Sequence, residues 1–243
     1  MRAGILMIGS LLWDERKERD EWRQSRLSLG RAIHVRVPIR YGRRSESRGN
    51  TFTMIFARDD ALGQGVLVPC RGMLPSVQAL LVAAEELWKA EQPGAPTGSI
   101  SASWGCVGVL VRAEPPPDDW LQAWADHFRR KASPILPVGA DGLLHLPWPE
   151  RAAEGTAADM DLILATATRA EETPPRAEEV ADAWINQEQA HERYFFENVR
   201  HGIRTPEDGL IWQRIQEAGA PWLRGGAYAD AITTLSREHV PGV

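Results

Sequence analysis

Three sets of residues in this chain have types and spacings suited to chemistry. The first is Ile8-Gly9-Ser10-Leu11-Leu12-Trp13, where an apolar stretch runs into a Gly-Ser turn and back into apolar residues. Glycine lets a backbone approach a ligand closely, and successive turning amides can face an anion or an oxyanion. The same residues also read as a plain strand-end turn. The second set is Arg36, Arg40, Arg43, Arg44 and Arg48. Guanidinium groups this close repel one another unless an anion is near, and each offers a planar fork that matches carboxylate or phosphate. Such a cluster makes either an anion-binding rim or a solvated edge strand guarded by charge. The third is a single carboxylate, Glu91. Val77, Leu80, Leu81, Ala84, Leu87 and Trp88 recur at helical spacing. Advancing about 100° per residue puts Glu91 inside that apolar arc and Glu86 on the solvent side. A carboxylate directed inward is costly unless paired or protonated, and that setting raises its pKa towards a general-base value. A helix that frays by Ala90 would instead leave Glu91 in solvent.

The elements that must position these groups alternate in period. Residues 5–8 read as a short buried strand. Residues 32–41 alternate, with Ile33, Val35, Val37, Ile39 and Tyr41 on one face and His34, Arg36, Pro38 and Arg40 on the other. Period two marks a strand with one buried face, and Pro38, which lacks an N–H, marks an open side. Arg43, Arg44 and Arg48 then fall in a loop, 42–50. Strands follow at 51–57 and 65–70. A helix should start at Pro75 or Ser76 and stop before Pro93. A strand at 104–112, a helix at 117–131 and a strand at 160–167 come next, with the Pro- and Gly-rich stretch 134–158 as a long surface excursion. Three helices close the pattern, one carrying Ala177, Val180, Ala181, Trp184 and Ile185, one carrying Tyr194, Phe195 and Val199, and one carrying Leu210, Ile211 and Ile215. Six strands and five helices make an α+β chain with antiparallel or mixed pairing.

Composition narrows the chemistry. The 243 residues carry a net charge of -5. Residues 1–58 hold 13 Lys and Arg against 6 Asp and Glu, a net of +7, and the remainder holds -12. The whole chain is therefore not a nucleic-acid binder by charge, whereas its first quarter suits an anion. No apolar run approaches the ~20 residues a membrane helix needs, and the start lacks a secretory pattern, so a cytoplasmic protein is expected. Two cysteines, Cys70 and Cys106, fit a reducing compartment and read as buried inert thiols rather than zinc ligands. Neither G-x-x-x-x-G-K-[ST] nor G-x-S-x-G occurs, which removes the common phosphate loop and the usual serine-hydrolase elbow.

Taken in order, these features resemble the γ-glutamylcyclotransferase superfamily, its ChaC-like branch in particular. That family opens with a strand ending in a Y-G-S-L or Y-G-S-N turn. Ile8-Gly9-Ser10-Leu11 occupies that place, with Ile8 where the family has tyrosine, and Leu12-Trp13 follows as in ChaC-like proteins. Arg36 and Arg48-Gly49 are similar to the family's Arg-containing strand and R-G loop. Gly65-Val66-Leu67-Val68 resembles the strand before the helix that ends at the catalytic glutamate, and Glu91 with Gly94 fits that end. No tyrosine follows that glycine, and 132–158 is longer than the family pattern. The strand Asp161–Ala167, the helix opened by Pro174-Pro175-Arg176 and the run Tyr194-Phe195-Phe196-Glu197-Asn198 resemble the ChaC tail.

The resemblance implies one γ-glutamylcyclotransferase-like domain over 1–243, a mixed or antiparallel β-barrel with surrounding helices, those at about 176–218 packing on it. It implies release of 5-oxoproline from a γ-glutamyl peptide or amide, glutathione-like, by attack of the substrate's own α-amine. Glu91 would be the general acid and base. Ile8, Gly9, Ser10, Leu11 and Leu12 would surround the substrate, with Arg36, Arg44 or Arg48 on a distal carboxylate. No cofactor, metal, nucleic acid or membrane is implied. The alternative is a non-catalytic member that keeps the barrel as a binding or interaction module. A third reading, Ser10 as a nucleophile, finds no base for it in the sequence.

Overall fold

The computed structural model describes residues 1–57, 61–112, 116–156, 158–186 and 191–238. Its centre is β1 (Ala3–Met7), five apolar or small residues, all buried. A strand with both faces covered loses the polar alternation of a half-exposed one. β1 pairs antiparallel with β4 (Leu62–Pro69) and parallel with β8 (Leu162–Thr168). Beyond β4 lie β2 (Ile33–Ser45) and then β3 (Thr51–Phe56). Beyond β8 lie β6 (Gly105–Val111) and the two-residue β5 (Ser101–Ala102). A further two-residue strand, β7 (Glu150–Arg151), pairs with β2. Among the described residues, a mixed, eight-stranded sheet and seven α-helices make an α+β fold.

The sheet does not close. Among the described residues β3 and β5 are its ends and no pairing joins them. The barrel implied by the resemblance is therefore replaced by an open sheet. The reason lies in the ends: β5 is too short to bridge them, and residues 142–144 cover the free side of β6, with Leu144 N donating to Val109 O at 2.8 Å. The sheet nevertheless curls, so that β3 approaches β8.

β2 is longer than its alternating core. It pairs with β4 through Pro38 and with β3 from Ile39 onward, so Pro38 marks a change of partner and not an open edge. The segment 134–158 also differs from a surface excursion. Ile135, Val138 and Leu144 are buried in the core, and β7 lies within it. Arg43 and Arg44 belong to β2, not to a loop. The register with β3 shifts between Tyr41 and Arg43, leaving Gly42 as the extra residue. A Cβ there would sit 2.4 Å from Ile55 Cδ1, so any larger residue at the bulge would have to displace that buried side chain. The bulge exchanges faces. Tyr41 packs edge-on against Trp184, and Arg43 turns to the other side with Thr53.

Two helices, packed on each other, hold the segment that leaves β1. α1 (Lys17–Arg26) was not expected from apolar spacing, because Trp22 is its only large apolar residue. α2 (Val77–Glu91) starts at Ser76, whose Oγ accepts from Ala79 N at 3.3 Å, and ends on Glu91. Trp88 is fully buried on its inner face. Glu86 meets α1 in place of open solvent, in an ion pair with Arg26. α3 (Asp118–Lys131) packs beside α2. α4 (Ala177–Ile185), α5 (Arg193–Arg200) and α6 (Asp208–Ala218) fall where helices were expected. α7 (Ala229–Glu238) extends the helical tail past 218, tied to α5 by the Arg200–Asp230 ion pair. Among the described residues no helix is long and apolar enough to cross a membrane.

Candidate active site

The site begins where β1 stops. The chain turns through Gly9 and Ser10, with Leu12 N donating to Gly9 O (3.1 Å) and Asp14 N to Ser10 O (2.8 Å). Among the described residues the Ser10 and Leu11 amides donate to no protein group. Gly9 is required by proximity: a Cβ would come within 2.5 Å of the Tyr194 hydroxyl oxygen. That hydroxyl, from α5, accepts from Met54 N at 3.2 Å, and burial raises its pKa. The turn is further pinned by Trp13, whose Nε1 donates to Asn198 Oδ1 at 2.8 Å.

α1 holds the turn through arginines rather than apolar side chains. Arg23 donates to Leu11 O and Asp14 O, both at 2.8 Å. Arg19 is only 4% exposed and uses every N–H of its guanidinium. Nε donates to Ala90 O (3.1 Å). Nη1 donates to Ser10 Oγ (3.0 Å) and Asp14 Oδ2 (3.1 Å). Nη2 donates to Glu91 O (3.3 Å) and Glu91 Oε2 (2.9 Å). One side chain thus joins the Gly-Ser turn to the end of α2. Burial pulls the Arg19 guanidinium below its ordinary value, against the opposing charges of Glu91 and Asp14.

Glu91 sits at that junction with its side chain 19% exposed. Burial pushes its carboxyl above the usual range, while Arg19, Arg16, Arg48 and Arg43 pull against the shift. Its pKa therefore moves in the direction that suits a group exchanging protons near neutrality. Burial also acts to raise Asp14, but bonds from Arg16 and the charge of Arg19 outweigh it and hold that carboxyl low.

Glu91, Ile8, Gly9, Ser10 and Leu11 line one cavity of about 280 Å³. Arg16, Arg19, Arg43 and Arg48 also line it, and Glu91 is the only carboxylate among its described residues. Four cations against one anion set the field for an anionic ligand. Arg48 lies over the Tyr194 ring at 4.8 Å and donates to Ser10 Oγ at 2.9 Å. With Arg19 also donating, both lone pairs of the Ser10 hydroxyl are taken, which suits a fixed donor and not a nucleophile.

The structure separates other expected residues from this cavity. Leu12 packs against the core beneath the turn. Arg36 is exposed on β2 opposite Gln64, at a different depression that Arg204 shares. Arg44 points outward after the bulge, stacked on Phe52 at 4.2 Å and donating to Asn50 O at 2.9 Å. Arg19 was missed. The spacing of Arg16, Arg19, Arg23 and Arg26 is itself a helical stripe, but one written in charge. Burial pushes the thiols of Cys70 and Cys106 up to about 11; Cys106 is buried in β6 as expected, whereas Cys70 is half-buried just past the end of β4.

Comparison with family models, curated proteins and solved structures returns no match for this chain.

Proposed function

We propose that this protein is a γ-glutamylcyclotransferase-like enzyme, releasing 5-oxoproline from a γ-glutamyl peptide or amide. The observation that carries the reading is the meeting of Glu91 and the Gly9-Ser10 turn in one cation-rich cavity. The reaction needs a base beside an anion-holding turn and needs no enzyme nucleophile. The substrate's α-nitrogen attacks its own γ-carbonyl carbon, so holding the folded-back conformer supplies much of the rate.

In this scheme the α-ammonium gives one proton to Glu91 and becomes the attacking amine. The new N–C bond forms while the carbonyl oxygen gains negative charge. The Ser10 and Leu11 amides and the Ser10 hydroxyl are the donors available to that oxygen or to the α-carboxylate. As the adduct collapses, the γ-carbon–nitrogen amide bond breaks. Two protons leave the α-nitrogen in all, and Glu91 relays two to the departing nitrogen, which leaves as an ammonium. Arg19 keeps Glu91 aimed and limits the rise in its pKa.

A second reading, a binding protein with a disabled site, draws on the same ion pair. A carboxylate held by Arg19 at 2.9 Å can be structural. Mass spectrometry of 5-oxoproline released from a panel of γ-glutamyl peptides and amines separates the two. Release from any member supports catalysis. Saturable binding across the panel with no release supports the binding module.

A further inference from the structure

A second cavity, of about 320 Å³, lies where α1, α2 and the chain leaving β4 meet. It shares no lining residue with the Glu91 cavity. Its origin is a difference in side-chain size. Ala79, Ala83 and Glu86 follow one another at helical spacing along one stripe of α2. Glu86 reaches α1 through its ion pair with Arg26. One and two turns earlier the alanines are too short to do the same, and a gap remains. Buried Ile5, Trp22 and Leu27 line that gap. So do Met73 and Val82, which are 67% and 41% exposed. Single exposed apolar side chains are ordinary, but here they share one concavity with buried ones.

The charges at this cavity do not cancel. Arg26 and Arg71 line it together with one carboxylate among its described residues, Glu86. Arg71 N donates to Arg26 O at 2.7 Å, which sets the two arginines side by side. Glu86 is taken by Arg26. Arg71 is anchored at one point only, where Nε donates to Leu27 O at 3.0 Å. Among the described residues its two terminal nitrogens meet no protein acceptor. A guanidinium fixed at Nε keeps its outer edge for a carboxylate. An ammonium head would be repelled here, and an uncharged head would gain no charge-assisted bond.

We propose that the cavity between α1 and α2 is a second ligand site, for a small carboxylate with an apolar body. The body fills the gap over Ile5, Trp22 and Leu27, and the head sits on Arg71. This site stands apart from the Glu91 cavity and does not depend on the reaction proposed there.

The test is calorimetric titration of the full chain with hexanoate, heptanoate, octanoate and 1-octanol. Each methylene added up to octanoate should tighten binding by about 3- to 4-fold, the effect of burying it. Octanoate should bind about 10-fold more tightly than octanol, the low end for a charge-assisted contact because Arg71 is exposed. Arg71→Met should bring octanoate down to octanol, and Arg71→Lys should recover part of the difference. Ala83→Leu, which fills the gap, should weaken both ligands by at least ~10-fold. Met73→Glu, at an exposed position that leaves the packing intact, should weaken octanoate more than octanol. Equal affinity for octanoate and octanol overturns the proposal, as does no binding of either at millimolar concentration. The arginines of the Glu91 cavity are the competing site for a carboxylate. If Arg43→Met abolishes octanoate binding while Met73→Glu and Ala83→Leu do not weaken it, the ligand sits there and the proposal falls. It also falls if the chain is a dimer that octanoate dissociates, which gives the gap to a second copy.

Discussion

Replacing Arg19 with methionine removes a cation whose side chain is 5% exposed and whose five N–H groups all have acceptors. Methionine keeps much of the length and none of the donors. Glu91 and Asp14 each lose a partner, and Ser10 Oγ keeps only the bond from Arg48. Breaking a buried pair by removing one partner costs about 3–5 kcal/mol. Glu91 is still 19% exposed and Arg16, Arg43 and Arg48 still act on it, which places the expected loss near the lower end. A loss of ~3 kcal/mol in a chain of this size lowers the melting temperature by about 6–12 °C. The loss also depends on pH. A buried glutamate with a raised pKa binds its proton more readily folded than unfolded, so its contribution to stability falls as pH rises through that pKa. Without Arg19 the pKa rises further. The destabilisation should therefore be larger at about pH 8 than at about pH 5. The assay is urea unfolding of the wild type, Arg19→Met, Glu91→Gln and the double variant. The cycle should return a coupling of about 1–3 kcal/mol, typical of directly paired groups. A coupling near zero, or an Arg19→Met protein as stable as the wild type, refutes Arg19 as the link between turn and helix end.

Gly9→Ala should destabilise the fold by about 1–3 kcal/mol, because the new methyl meets the Tyr194 hydroxyl. Tyr194→Phe removes that oxygen and should recover part of the loss in the double variant; purely additive melting temperatures would count against the contact. The pH profile of kcat/KM should show an acid limb above the ordinary glutamate range, since Glu91 must be ionised to take a proton and burial raises its pKa. Lowering the charge around it with Arg16→Gln should shift that limb to higher pH, and a shift to lower pH would contradict the assignment.

The parts of this structure that were legible in the sequence are those in which apolar residues repeat. The alternation from Ile33 to Tyr41 and the stripe from Val77 to Trp88 each bury a continuous face, and periodicity reports burial. α1 escaped because its buried face is made of Arg19, Trp22 and Arg23, whose burial depends on acceptors far away in sequence. The arginine cluster could not be divided into inner and outer members without the Gly42 bulge, which turns Arg43 inward and leaves Arg44 outside. Closure of the sheet is a long-range property, set by how residues 142–144 cover β6 and by the length of β5. The segment 134–158 packs Val138 and Leu144 into the core from irregular backbone, which leaves no period to read.

In the proposed reaction Glu91 moves the protons of an intramolecular cyclisation. The most direct measurement is 5-oxoproline release by the wild type, Glu91→Gln and the control Glu86→Gln on one accepted γ-glutamyl substrate, with folding of each checked by its thermal melt. Glu91→Gln should fold and lose at least ~100-fold in kcat, the scale of a lost general base. Glu86, paired with Arg26 outside the cavity, should be replaceable with the rate unchanged. A folded Glu91→Gln protein that turns over at the wild-type rate would rule out Glu91 as the base.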